Sequence, residues 1–179
     1  FLNNDLAGLT IQGTGANAGD FAAYVYDSQF NGTTGGPGLS VSAVAYSDAL
    51  IDVRRSRANN SGADGMDLVT TSCTQDSRIT AMNIQANGNT NWGGGGIFIA
   101  SSAPTVTNCT FLNNSAGQNG GGAIHSWNAS PLITNCIFAH NDGGINGGGA
   151  IFNWDCSDVT ILHCTFSENN GGISGGGAI

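Results

Sequence analysis

The chain has 179 residues, among them 29 Gly and 21 Asn, and carries 12 acidic residues against 4 Arg and no Lys, for a net charge of −8. So few charges cannot lace exposed helices with i,i+4 pairs, and Gly and Asn favour left-handed turns over long helices, which excludes a coiled coil or helical bundle. The acidic balance excludes nucleic acid as a partner, because phosphates call for a cationic stripe, and no apolar run approaches the roughly 20 residues of a membrane span.

In chain order, the landmarks recur every 27 to 29 residues, and a fixed recurrence of this length is the signature of a repeat array. Phe1 to Asn4 opens inside one unit, Asn31 marks the next, and Asn59 or Asn60 the one after. Between them stand Asp48, Asp52, Arg54, Arg55 and Arg57. Arg54 and Arg55 are weak catalytic candidates of the lyase kind, an arginine base beside acidic calcium ligands. Successive strand residues point to opposite faces, so the expected role of these arginines is salt linkage to Asp52, Asp48 or Asp64.

Asp64 and Asp67, in the stretch from Ser61 to Leu68, are the second weak catalytic pair. The stretch faintly resembles the Asn-Thr-Asp-Gly-x-Asp motif of polygalacturonases. Inverting hydrolysis needs an acid and a base about 6.5–9.5 Å apart, and there the next coil supplies two aspartates. Here the next coil reads Asn91-Trp92-Gly93-Gly94-Gly95, so the pair is missing. Further on, Ile84 falls in the register of Phe111, and Asn87 in that of Asn114.

From residue 93 the array becomes regular. Ile97, Ile124, Ile151 and Ile179 each follow a run of glycines, and Cys109, Cys136 and Cys164 each stand two residues before Phe111, Phe138 and Phe166. Asn114, Asn141 and Asn169 follow the phenylalanines and are expected to form a structural ladder of their own. Within a unit, apolar and polar residues alternate in bursts of three to five, as in Val106 to Phe111, which is strand periodicity. Strands this short pair economically only with their equivalents one coil away, which predicts a parallel β-helix. A leucine-rich repeat, a hexapeptide helix and a calcium-binding nonapeptide roll each lack their own signature here.

The paired motifs Gly-Gly-Ala-Ile (121–124, 148–151, 176–179) and Phe-x-x-Asn (111–114, 138–141, 166–169) resemble the hallmark repeats of polymorphic outer-membrane proteins, whose passengers are surface adhesins. The resemblance covers residues 93–179 well and 1–92 loosely. Together with similarity to the pectate-lyase-like superfold, it implies an all-β, single-stranded right-handed parallel β-helix of six to seven coils, three short strands per coil. Residues 1–179 form one array, with 1–92 degenerate. The second and third strands are expected at Thr105–Thr107 and from Cys109 to Phe111, with Asn108 in the turn between them.

The Phe and Cys columns are expected to stack inward as core, the thiols as small buried hydrophobes. Asn108 and Asn135, followed by His163, are expected at left-handed turns as a stacked amide ladder, with Asn108 buried. Cys73 and Cys156 stand outside the register. With Ile97, Ile124 and Ile151 inside, Phe98, His125 and Phe152 turn outward beside Trp127 and Trp154, a platform for sugar rings or a partner surface. Sequons at Asn113 and Asn128 fall in turns open to a glycan. No metal or cofactor is expected. The ends read as those of a fragment, or of a subunit that stacks head to tail on itself. The expectation is therefore a secreted or surface-displayed structural and adhesive rod, with a carbohydrate-active β-helix using the aromatic face as the alternative.

Overall fold

The computed structural model describes residues 8–179 except 16–18, 35, 45, 47, 72–76, 83–84, 92–94, 102, 119, 146, 157 and 174. The expected Phe1–Asn4 motif, Ile84, Trp92 to Gly94 and Cys73 lie outside the described residues. The first three coils are β1 (Leu9–Thr14), β2 (Asp20–Tyr26), β3 (Gln29–Asn31), β4 (Leu39–Val44), β5 (Asp48–Arg54), β6 (Arg57–Asn59), β7 (Met66–Thr71), β8 (Ser77–Met82) and β9 (Gln85–Asn87). After β10 (Thr90–Asn91) come β11 (Ile97–Ala100), β12 (Thr105–Thr107), β13 (Thr110–Leu112), β14 (Ser115–Ala116), β15 (Ile124–Trp127), β16 (Leu132–Thr134), β17 (Ile137–Ala139), β18 (Ile151–Trp154), β19 (Thr160–Leu162) and β20 (Thr165–Ser167). Among the described residues there is no helix.

Eighteen strands form three six-stranded sheets, each collecting the equivalent strand of every rung, β10 and β14 pair as a separate two-stranded sheet, and all named pairings are parallel. Five steps of about 4.8 Å separate the first rung from the last, about five turns and slightly fewer than the expected six to seven coils. Three strands per coil is as expected. The third strand starts at Thr110, one residue later than anticipated, so Cys109 belongs to the corner that precedes it.

Parallel in-register pairing puts like side chains over like, and the core is a set of such columns. Leu39, Met66, Ile97, Ile124 and Ile151 run down the first sheet, and Val53, Ala81, Val106 and Ile133 down the second. The third sheet contributes Phe30, Ala58, Ala86, Phe111, Phe138 and Phe166. The last three rings stack nearly parallel, with centroids 5.1 and 4.9 Å apart. Residues of these columns up to Ile151 are sealed, while Phe166 is partly buried. Burying each aliphatic or aromatic side chain contributes about 1.5–3 kcal/mol.

Each coil turns at left-handed corners. The corner after the second sheet is held by Asp27, Arg55, Asn108, Asn135 and His163, all at φ between 48° and 53°. Another, after the first sheet, uses Ser101, Asn128 and Asp155, and a third, after the last sheet, uses Gly32, Asn60, Gly88, Asn113, His140 and Glu168. The left-handed geometry expected at Asn108, Asn135 and His163 is present, but all three are exposed, which corrects the expected burial of Asn108. A corner residue in this conformation directs its side chain away from the core.

The buried amide ladder lies one corner further on, in the expected column of Asn114, Asn141 and Asn169. Asn89, Asn114 and Asn141 are sealed, and Asn169 is half-buried. The Nδ2 groups of Asn89, Asn114 and Asn141 each donate to the next Oδ1 at 2.9–3.0 Å. Each also donates to a backbone carbonyl of the preceding coil, Ala58, Ala86 and Phe111 in turn. Asn89, not Asn87, stands in line with Asn114, because Asn87 pairs with Leu112. By the same step Ala86, not Ile84, holds the register of Phe111.

The glycines before each isoleucine mark where the third corner closes on the first sheet. A Cβ on Gly96 would lie 2.6 Å from the Ala123 carbonyl oxygen and 2.8 Å from the Phe111 ring. No side chain has room there.

Candidate functional site on the outer face of the first sheet

Strand alternation presents two outward columns on the first sheet. One runs Thr10, Ser40, Asp67, Phe98, His125, Phe152, and the other Gln12, Ser42, Val69, Ala100, Trp127, Trp154. The face is thus hydroxylic over its first coils and aromatic over its last three. Phe98 and Phe152 are half-buried, whereas Trp127 and Trp154 are 50% and 56% exposed.

The rings pack on one another across rungs. His125 meets Phe98 and Phe152 at 5.3 Å each, in edge contacts with planes at 85° and 63°. Trp127 lies 6.2 Å from His125 and 6.4 Å from Trp154, with the two indoles inclined by 33°. Edge and tilted contacts at these separations each add about 0.5–1.5 kcal/mol beyond area burial. His125 was expected outward and open. It does point outward, yet its neighbours leave it 6% exposed, and neither ring nitrogen has a hydrogen-bond partner. Burial pushes its pKa down to about 4, so the ring is neutral at pH 7.

Asp67 stands one rung from Phe98 and two from His125. Its Oδ2 accepts a long 3.5 Å bond from Ser40 Oγ, its Oδ1 has no partner, and burial raises its pKa. Asp64 is buried in the preceding turn and does not join this face. Arg54 and Arg55 lie around the corner of the second sheet. Arg54 Nε donates to Asp52 Oδ1 at 2.7 Å, the expected salt link. Arg55 grips Asp27 with two bonds of 2.7 and 2.8 Å, a partner the sequence reading did not identify. Among the described residues, Asp67 on the first sheet and Arg54 and Arg55 at the second therefore stand on different faces. Among the described residues, no group of three His, Cys, Asp or Glu is placed to hold a metal ion.

Two exposed aromatics escaped the sequence reading, Tyr24 and Tyr26 on the outer face of the second sheet. Their rings lie 6.1 Å apart edge to face, and the Arg54 and Arg55 guanidinium carbons each stand 5.7 Å from the Tyr26 centroid. Tyr26 Oη also donates to Asp52 at 2.7 Å. The alternation Ala-Tyr-Val-Tyr is the signal that places both rings outside. The same sheet face carries Thr80, Thr105, Thr107, Thr134 and Thr160, interrupted by Met82, Leu132 and Leu162. The sequon residues Asn113 and Asn128 are exposed corner residues, as expected.

The first-sheet face carries five rings and is free of charge over its last three rungs. Two half-exposed indoles on adjacent rungs, with a third ring layer behind them, form a strip on which the apolar face of a flat ring can lie. Comparison with known families matches residues 42–177 to the model described as "Right handed beta helix region". Neither the curated proteins nor the solved structures give a significant match.

Proposed function

The chain belongs to the right-handed β-helix family, and on that premise we propose that it is a non-enzymatic structural and adhesive rod, acting outside the cell or on its surface, that holds glycan chains along its aromatic flank. The observation that carries this reading is the pair Trp127 and Trp154, half-exposed on adjacent rungs and backed by Phe98, His125 and Phe152. An exposed apolar strip of this kind costs solubility unless something covers it, and the C–H faces of pyranose rings are flat apolar partners for indoles. The rung spacing offers one indole per step, so an extended chain lying along the rod can meet both at once. The candidate acids and arginines sit on separate faces, which favours holding over cleaving.

Affinity electrophoresis and calorimetry on a panel of neutral and uronic polysaccharides test this. Binding by the wild type and its loss in Trp127→Ala/Trp154→Ala, with melting unchanged, are the expected results. A double variant that still binds would refute the platform. A panel in which nothing is retained would refute the glycan partner, and release of oligosaccharides would overturn the non-enzymatic reading.

A further inference from the structure

We propose that the thiol ladder of Cys109, Cys136 and Cys164 is a redox staple in which Cys136 forms a disulfide with one neighbouring rung at a time. The register makes the three residues successive: Thr110, Ile137 and Thr165 pair in line, and each cysteine directly precedes one of them. The amides of Ile137 and Thr165 donate to the carbonyls of Cys109 and Cys136 at 2.9 Å. Neighbouring Cα atoms one rung apart, at about 4.8 Å, fall inside the 4.4–6.8 Å range that a disulfide spans.

The side chains share one orientation. Each Sγ donates to the carbonyl two residues earlier, Thr107, Thr134 and Leu162, at 3.1–3.3 Å. Each also reaches a carbonyl of the preceding coil, Ala81, Val106 and Ile133, at 3.5–3.8 Å. Hydrogen bonding from Cys109 lowers the pKa of Cys136, while burial raises that of Cys164. Cys136 holds the middle position of the register, with a cysteine one rung to either side, so either bond contains it. Cys136 and Cys164 are free cysteines in this structure.

Accessibility orders the chemistry. Cys109 and Cys136 are 1% exposed, whereas Cys164 is half-buried. A small-molecule disulfide such as oxidised glutathione meets Cys164 first. The Cys164 thiolate attacks one glutathione sulfur, forming a mixed disulfide and releasing one glutathione thiol. The Cys136 thiolate then attacks Cys164 Sγ and expels the second, so two protein thiols are oxidised and one glutathione disulfide is reduced to two thiols. Attack by Cys109 on Cys136 afterwards moves the bond one rung inward and frees Cys164. Either bond ties two consecutive coils together, and one thiol of the three always stays reduced.

The folded chain, incubated with oxidised glutathione, alkylated and mapped by mass spectrometry after proteolysis, tests this. Expected are a mass loss of two hydrogens, one intramolecular disulfide that always contains Cys136, and a melting temperature raised by several degrees. Cys164→Ala should retain a Cys109–Cys136 bond but form it far more slowly, and Cys136→Ala should form none within the ladder. Full alkylation of all three ladder thiols in the oxidant-treated wild type would overturn the proposal without recourse to any variant. So would a bond that joins two chains, or one that leaves Cys136 free.

Discussion

Asn141→Ala removes the centre of the buried amide ladder, and its cost can be worked from the bonds it breaks. The Asn141 Nδ2 donates to the Phe111 carbonyl at 3.1 Å and to Asn169 Oδ1 at 2.9 Å. Its Oδ1 accepts from the Asn114 backbone amide at 3.1 Å and from Asn114 Nδ2 at 3.0 Å. Four bonds at about 0.5–1.5 kcal/mol net give about 4 kcal/mol. Of that loss, the Asn114 amide, left buried and unpaired, accounts for about 1–3 kcal/mol, while the Phe111 carbonyl keeps its place in the strand ladder. Urea unfolding followed by both tryptophan fluorescence and circular dichroism measures the loss, two probes being needed because a repeat array can unfold in parts. Asn113→Gly, at the adjacent exposed left-handed corner, is the control and should change stability by well under 1 kcal/mol. Asn141→Asp should be worse than alanine at pH 7, since a carboxylate donates nothing to Phe111 or Asn169. It should recover partly in acid, because a buried carboxyl has a raised pKa and regains stability as it takes up its proton. A loss below about 1 kcal/mol for Asn141→Ala would refute the ladder as a source of stability.

Three further outcomes follow from the same geometry. Phe138→Asp should cost more than about 4 kcal/mol by placing a charge between the Phe111 and Phe166 rings, and near-wild-type melting would contradict the inward stack. His125 has a folded pKa near 4, below its unfolded value. The unfolded chain therefore takes the proton first, and stability, full above about pH 6.5, should fall by up to about 3 kcal/mol as pH drops to 4. Asp67, whose pKa is raised, works in the opposite direction, so the quantity to measure is the difference between wild type and His125→Phe across that window; a difference independent of pH would disprove the burial effect. His163→Gly should raise the melting temperature by a few degrees, because an exposed residue at φ 53° carries about 1–2 kcal/mol of strain that glycine avoids, less glycine's entropic cost of about 0.5–1 kcal/mol.

Much of the fold was legible because in-register stacking repeats residue types. Ile97, Ile124 and Ile151, and Phe111, Phe138 and Phe166, are identical residues on successive rungs, and their inward positions follow from alternation alone. The first half was harder for a reason of length. There the first two strands run six or seven residues and the way back from the third strand is short; from Ile97 on, the strands shrink to three or four and the return lengthens. The two changes nearly cancel, so the period hides the switch, and a 25-residue step from Ala86 to Phe111 carried Ile84 and Asn87 out of the register assigned to them. At Asn108 the need for left-handed geometry says nothing of burial, since the corner turns its side chain to solvent. Arg55, Ser101 and Glu168 hold the same geometry with side chains that give no hint of it. On the aromatic face, alternation supplied the direction of His125 but not its cover, which depends on how three rings from three coils lean together.

The switch in strand length between the third and fourth coils means that the chain is wound on two different outlines. Whole windings copied within residues 97–179 meet neighbours of their own outline, so duplicating or deleting the 27 residues from Ile124 to Ala150 exchanges like for like. Met66 to Gly96 is the winding at which the two outlines already meet, so a copy of it repeats a longer unit beside that junction. Lengthening the rod by design is therefore simplest in its second half, the same stretch that presents the indoles.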